Sequence, residues 1–351
     1  MADPTSQYLY GIHDSNDWQY PGWEIRTEEL GHDPAHTGGT DYRGARHSVI
    51  ARLNNGYAPR GTIPLPQYYE AFAVRAQNFV KASRGCTVWI IGNEMNHGNE
   101  WPEGQPIYPA DYARCYTFCL DRILSLPGHE QDQVLVGAVA PYNAQTIYPG
   151  NPTGDWAIYL RDILAACPRV GGIALHCYSS SQKANVIISD AKMGAPFGHL
   201  SSEFRTYRDF MEVIPARLWD VPIYITETNP GARGQPWQDA NTGWVGAAYD
   251  EIAGWNEGHH GRTIRCLALY CMQRRGDGMW LDGKGNVKAD FMQAVARGLT
   301  WTADPPVEPE PEPPEPEPVA CRWDEARLKA LVREAVREEL ARFVWAPVEM
   351  D

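Results

Sequence analysis

Two apolar runs that each end in a glutamate limit the folds open to this chain. Residues 87–94 are mainly apolar until the polarity switches at Asn93-Glu94, and residues 222–229 repeat this form around Glu227. A continuous apolar run with a polar end is typical of a strand that is buried on both faces, as strands of parallel sheets are. We therefore expect both glutamates at the carboxyl ends of parallel strands.

Six more apolar runs predict the other strands, at residues 8–13, 22–27, 48–54, 134–140, 171–178 and 264–271. Helical patterns alternate with most of the strands, at residues 67–83, 109–126, 155–166, 204–213, 244–256 and 291–299, with Asp155 as an N-cap. Such alternation predicts a parallel sheet, and eight units predict an α/β fold, the (β/α)8 TIM barrel. Active sites of these barrels lie at the carboxyl ends of the strands, where both glutamates are expected.

The composition changes at residue 304. Eight of the fifteen residues from 304 to 318 are proline and six are acidic, which is typical of a stiff, extended spacer without a core. An amphipathic helical pattern follows. We therefore divide the chain into a barrel (1–303), a Pro/Glu-rich linker (304–321) and a C-terminal helix (322–345).

The C-terminal helix carries an apolar stripe that includes Leu331, Val332 and Leu340. A helix of this length is marginally stable alone and needs a partner surface. Self-association through a short coiled coil would provide one and would make the chain a homo-oligomer. The alternatives are docking on the barrel and attachment to another protein or a larger assembly.

The net charge of −13 includes the six acids of the 304–318 segment, so the barrel itself is only moderately acidic. This balance argues against nucleic acid or an anionic membrane as a partner. No apolar run reaches about 18 residues, so we expect no membrane insertion. The first residues lack the basic and apolar regions of a signal peptide. The localisation therefore stays open between the cytoplasm and an extracellular site.

The eight cysteines are scattered, and none forms a C-x-x-C pair. Without a metal-ligand spacing they are best interpreted as buried free thiols. We expect neither a metal nor another cofactor.

Paired carboxylates at the mouth of a barrel suit the cleavage of a glycosidic bond. The leaving oxygen needs a proton, so one carboxyl group must hold one. The anomeric carbon becomes positive, so the other must be an anion. We expect strands four and seven to face each other across the mouth of an eight-stranded barrel, an arrangement that suits carboxyl groups on two sides of one sugar.

Asn93-Glu94 after the fourth strand and Thr226-Glu227 at the end of the seventh resemble the large clan of retaining glycoside hydrolases with (β/α)8 barrels. The resemblance covers residues 1–303. It implies that Glu94 is the general acid/base, that Glu227 is the nucleophile, and that Asn93 binds the 2-hydroxyl of the sugar.

The same resemblance implies that His176 and Tyr178 lie beside the nucleophile and that Arg52 bonds to it. His13 and Asn143, at the ends of the first and fifth strands, are further candidates for substrate binding. The competing interpretation is structural: Arg52 as an internal ion-pair partner, and the histidines as satisfied core residues.

Many clan members end the eighth strand with a tryptophan under the sugar. Here residues 269–273 read Leu-Tyr-Cys-Met-Gln, so Tyr270 or Gln273 would take that place, with Trp280 just beyond. This departure leaves the identity of the sugar open, together with its linkage and endo or exo action.

Two other functions remain. A barrel that binds glycan without cleaving it, displayed on an oligomeric stalk, would gain avidity through multivalency. A structural component of a larger particle would use the terminal helix for attachment. The intact glutamate pair favours the hydrolase over both.

Overall fold

The computed structural model describes residues 5–15, 18–231, 234, 236–258, 261–273, 279–302 and 325–342. Eight parallel strands close a barrel in sequence order, and this confirms the predicted (β/α)8 fold. The strands are β1 (Tyr10–His13), β2 (Trp23–Glu29), β3 (Ser48–Asn54), β4 (Val88–Ile91), β5 (Gln133–Val136), β6 (Ile173–Tyr178), β7 (Ile223–Asn229) and β8 (Ile264–Leu269).

Six helices follow strands β3 to β8. They are α1 (Tyr69–Ala82), α2 (Pro109–Leu124), α3 (Trp156–Ala166), α4 (Thr206–Val213), α5 (Trp244–Gly258) and α6 (Gly285–Val295). The predicted cap of α3 is confirmed, because an Asp155 carboxylate oxygen accepts hydrogen bonds from the N–H groups of Ala157 (2.8 Å) and Ile158 (3.1 Å).

The predicted strand over residues 134–140 is too long, because β5 ends at Val136. Its next residue, Gly137, donates its N–H to the Tyr112 hydroxyl at 2.6 Å, which interrupts the strand ladder. A Cβ on Gly137 would lie 2.7 Å from the Gly92 carbonyl oxygen, so only glycine allows this close approach of backbones.

The last barrel helix was predicted at residues 291–299, but α6 covers Gly285–Val295. Its buried face consists of Val287, Phe291 and Ala294, together with Asp290. The apolar spacing i, i+4, i+7 therefore begins four residues before Phe291. The helix ends before Gly298, which has a φ of 66°.

Two buried apolar layers surround the strands. One lies between the strands and the helices. The other fills the barrel interior and consists of Trp23, Ile25, Ile50, Val88, Ile90, Leu135, Ala138, Ala174, Tyr224, Cys266 and Ala268. Since side chains alternate along a strand, the next inward positions toward the carboxyl ends are Arg52 after Ile50 and His176 after Ala174. These polar side chains therefore lie next to the apolar interior cluster, on the side of the carboxyl ends of the strands.

The cysteines in the described part of the chain are buried and free, as expected. None of the helices described combines the length and apolarity needed to cross a membrane.

Chain contacts define two units, Met1–Ala303 and Asp304–Asp351. In the second unit, helix α7 spans Glu325–Arg342. Leu331 and Val332 of α7 are each 58% exposed. The predicted linker lies outside the described residues, and the coiled coil stays a prediction.

Candidate active site

Glu94 lies just beyond β4, where the backbone turns sharply. Gly92 has a φ of 73°, and Glu94 itself has a φ of 42°, a left-handed conformation that is costly for a residue with a Cβ. The turn is held because the Glu94 N–H donates to the Ala138 carbonyl at 2.8 Å. Glu94 lines an open cleft at this end of the barrel.

Glu227 lies within β7, three strands away from β4 in the closed barrel order. The pairing of β6 with β7 shifts register between Leu175 and His176, after which His176 pairs with Glu227 and Tyr178 with Asn229. An irregularity of this kind re-aims side chains. It brings the inward-facing residues of β6 beside the Glu227 carboxylate.

Nitrogen groups surround one oxygen of Glu227. Arg52 Nη1 donates to Oε1 at 2.5 Å, while His176 Nε2 and His13 Nε2 lie 3.7 and 3.8 Å from the same oxygen. Burial alone would raise the pKa of Glu227, but His176, Arg52 and His13 together lower it to about 2. Glu227 is therefore a carboxylate at any ordinary pH.

Arg52 shows the reciprocal effect. Its burial disfavours the charged guanidinium, but the Glu227 carboxylate raises its pKa above the usual value. Burial lowers the pKa of His13, whose Nδ1 lies 3.0 Å from Asp14 Oδ2. Arg52 is thus the permanent cation of the site.

His176 and Tyr178 contact both glutamates. The Nδ1 of His176 is 2.9 Å from Glu94 Oε1. The Tyr178 hydroxyl donates to Glu227 Oε2 at 3.0 Å and lies 3.5 Å from Glu94 Oε1. One side-chain donor atom from each of Glu94, His176 and Glu227 lies within 4.8 Å of the other two. The two carboxyl groups therefore lie close together at the same end of the barrel.

Asn93 extends this network toward a residue that the sequence analysis missed. Asn93 Oδ1 accepts from Arg52 Nη1 at 2.7 Å, and Asn93 Nδ2 donates to Glu100 Oε1 at 3.3 Å. Glu100 is only 9% exposed, and its burial raises its pKa to about 7. It lies in a short 3-10 turn (Gly98–Glu100) after β4, a polar loop that carries no strand-end signal.

The cleft has a volume of about 460 Å³. Its described lining is mostly polar and aromatic: Glu94, His97, Ala140, Pro141, Tyr142, Asn143, Tyr178, Glu227, Asn229, Gly231, Tyr270 and Met279. Of the predicted substrate-binding residues, Asn143, Tyr178 and Tyr270 line it directly. His13 lies behind Tyr270, with ring centroids 5.2 Å apart in an edge-on arrangement.

Trp280 is not among the described residues that line the cleft. It is partly buried, and Lys284 Nζ lies 5.5 Å from its ring centroid. Gln273, the alternative to Tyr270, is exposed and also lies outside the described lining. Of these three, Tyr270, the residue just after β8, is the one among the described residues of the lining. Tyr142, Asn229 and Met279 line the cleft without having been predicted.

Glu94, His176 and Glu227 also offer the donor atoms that a metal ion requires. A cation held between them would meet the guanidinium of Arg52, which is already 2.5 Å from Glu227. Two positive charges beside one carboxylate group repel each other.

Comparison with protein-family models found no match, and comparison with curated proteins found none either. Solved structures with a similar barrel include a GH128 (subgroup VII) oligosaccharide-binding protein from Cryptococcus neoformans, with 12% identity, a TM-score of 0.47 and coverage of 84% of this chain and 97% of that protein.

A GH128 (subgroup II) endo-beta-1,3-glucanase from Sorangium cellulosum is 14% identical, with a TM-score of 0.42 and coverage of 82% and 98%. A fungal beta-1,4-galactanase is 12% identical, with a TM-score of 0.46 and coverage of 82% and 100%. At these values the likeness assigns no residue a role in this chain.

Proposed function

We propose that residues 1–303 form a retaining glycoside hydrolase that cleaves a glycosidic bond in an oligo- or polysaccharide. The observation that carries this proposal is the spacing of the carboxyl groups, with oxygen atoms of Glu94 and Glu227 within 4.8 Å of each other. Retaining enzymes keep their two carboxyl groups about 5–5.5 Å apart, whereas inverting enzymes need about 6.5–9.5 Å to admit a water molecule.

The environment of Glu227 supports the role of nucleophile. An attacking carboxylate must be ionised and held in place, and Arg52 and Tyr178 bond to its two different oxygens. Its pKa of about 2 keeps it anionic in the acidic and neutral range. The cost of this arrangement is reduced nucleophilicity, which a bound sugar offsets through proximity.

The position of Glu94 supports the role of acid/base. Its side chain is 19% exposed, against 7% for Glu227, and it lies on the cleft, where water and a leaving group have access. His176 touches it at 2.9 Å. A proton can therefore reach Glu94 and leave it between the two steps.

In the first step Glu94 transfers its proton to the glycosidic oxygen as the bond from that oxygen to the anomeric carbon breaks. The Glu227 carboxylate bonds to the anomeric carbon and forms a glycosyl-enzyme. In the second step Glu94, now a carboxylate, takes a proton from water, and the water oxygen displaces Glu227. Two inversions retain the configuration.

The cleft supports a carbohydrate as the substrate. Asn143 and Asn229 present amides that suit sugar hydroxyl groups, and Tyr270 presents an aromatic ring at the end of β8. We assign Asn93 and Arg52 to the floor of the sugar site and His13 to the support of Tyr270.

The test is product release from a panel of polysaccharides and aryl glycosides. Wild type should release sugar, and both Glu94→Gln and Glu227→Gln should lose release from natural linkages while keeping the wild-type circular dichroism spectrum. The matched control is Glu103→Gln, because Glu103 is an exposed glutamate in the loop after β4, which also carries Glu94. A Glu227→Gln variant with a near-normal rate would refute the assignment.

The alternative function is a barrel that binds glycan without cleaving it, and helix α7 favours this function. The exposed Leu331 and Val332 of α7 need a covering surface, and a displayed barrel would bind glycan multivalently. Glycan binding without product release by wild type would establish that function instead. We propose self-association as the role of α7 in either case.

A further inference from the structure

Glu100 is a buried carboxyl group that the two-glutamate mechanism does not use. It is 9% exposed, and its Oε2 has no hydrogen-bond partner within the described residues. Its Oε1 accepts from Asn93 Nδ2 at 3.3 Å. A buried carboxyl group with one oxygen lacking a hydrogen bond lowers the stability of the fold. We therefore ask what function Glu100 has at the mouth of the barrel.

The hydrogen-bonding chemistry of Asn93 supplies that function. An asparagine amide can rotate by 180°, which exchanges its oxygen and nitrogen. Arg52, on the oxygen side at 2.7 Å, is a donor only. Glu100 Oε1, on the nitrogen side, is an acceptor, and a carboxyl proton would lie on Oε2, which has no partner within the described residues. The reversed amide would place N–H groups against the guanidinium and its oxygen against this acceptor oxygen, so both contacts would become repulsive.

We infer that Glu100 is a positioning residue that fixes the orientation of the Asn93 amide, and through it the contact of Arg52 with the nucleophile. This inference rests on the proposed function. The inference extends the proposed function by giving a direction to the sugar contact. One Asn93 N–H donates to Glu100, and the second stays available for a sugar hydroxyl in one fixed direction.

The backbone reinforces the arrangement. The Thr62 N–H donates to the Glu100 carbonyl at 2.9 Å, and the Thr62 hydroxyl accepts from the Asn93 N–H at 2.6 Å. Thr62 thus ties the turn that carries Glu100 to the end of β4. The carboxyl group is therefore set against Asn93 by main-chain contacts that survive substitution of the Glu100 side chain.

The test is a double-mutant cycle on kcat/KM with an aryl glycoside that wild type hydrolyses. Glu100→Ala should lower kcat/KM by about tenfold, the upper scale of one ordinary hydrogen bond. The Glu100→Ala/Asn93→Ala double variant should be no slower than Asn93→Ala alone, because Glu100 acts through Asn93. Glu103→Ala is the control and should match wild type.

Two conservative variants separate positioning from charge. Glu100→Gln keeps an acceptor oxygen beside Asn93 without the charge, whereas Glu100→Asp keeps the charge but withdraws it by one methylene. If Glu100 acts by positioning Asn93, Glu100→Gln should keep the wild-type rate and Glu100→Asp should not. The opposite pattern, or additive effects in the cycle, would overturn the inference.

Folding is checked by circular dichroism, and Glu100→Asp with Asn93→Ala completes the same cycle where alanine at position 100 prevents folding. Failure of wild type to hydrolyse any substrate would remove the proposed function and this inference with it. Hydrolysis by wild type with an additive cycle would overturn the inference alone.

Discussion

Replacing Glu100 with glutamine removes one buried ionisable group and leaves the shape of the side chain nearly unchanged. In the folded protein the pKa of Glu100 is raised to about 7 by burial, against an ordinary value of 4.5. The charged groups that face it are Arg52, which opposes the rise, and Glu94 and Glu227, which add to it. Glu100 should therefore make the stability of the barrel depend on pH.

The sign follows from proton binding. Between pH 4.5 and 7 the unfolded chain has lost the Glu100 proton while the folded chain keeps it, so the free energy of unfolding falls as the pH rises. A difference of about 2.5 pKa units, at about 1.4 kcal/mol each, amounts to about 3 kcal/mol. The contribution of Glu227 has the opposite sign and changes between about pH 2 and 4.5, so it does not overlap.

The assay is urea unfolding followed by tryptophan fluorescence at pH values from 4.5 to 8. The free energy of Glu100→Gln minus that of wild type should increase by about 3 kcal/mol across this range. A constant offset from imperfect packing of the amide does not affect the slope. Glu103→Gln should show no slope. A pH-independent difference for Glu100→Gln would refute the argument that Glu100 is buried as an acid.

Three other changes have defined outcomes. Glu94→Gln should slow glycosides with poor leaving groups far more than activated aryl glycosides, because only the former need the proton; equal loss on both in steady-state assays would argue against an acid role. Tyr178→Phe should lower kcat by roughly tenfold with KM little changed, because Glu227 Oε2 loses a donor; an unchanged kcat would exclude that hydrogen bond from the mechanism. Removal of residues 304–351 should convert an oligomer to a monomer in light scattering; identical masses for both forms would rule out self-association through α7.

The glutamates at the strand ends could be predicted from the sequence because each follows a local pattern of apolar residues. Glu94 and Glu227 follow apolar runs, and the barrel puts such ends at one mouth. His176 and Tyr178 are two residues apart on β6, so strand alternation sends both inward. The pairing of His176 with Glu227 follows the register shift beside His176, and no residue pattern predicts that shift.

Features that depend on long-range contacts were missed. The end of β5 is set by the hydrogen bond from Gly137 to Tyr112, a residue of α2. There the local sequence still favoured the wrong end, because apolar residues continue past Val136.

The contrast between Arg52 and Glu100 explains which functional residues a sequence reveals. Arg52 is conspicuous because a charge inside an apolar strand contradicts the local pattern, and such contradictions mark functional sites. Glu100 lies in a polar loop where a glutamate fits every local preference. Only the folded chain buries it against Asn93 and removes it from water. Its significance therefore arises from tertiary structure alone, and residues of this kind are those for which measurement of the pH dependence is most informative.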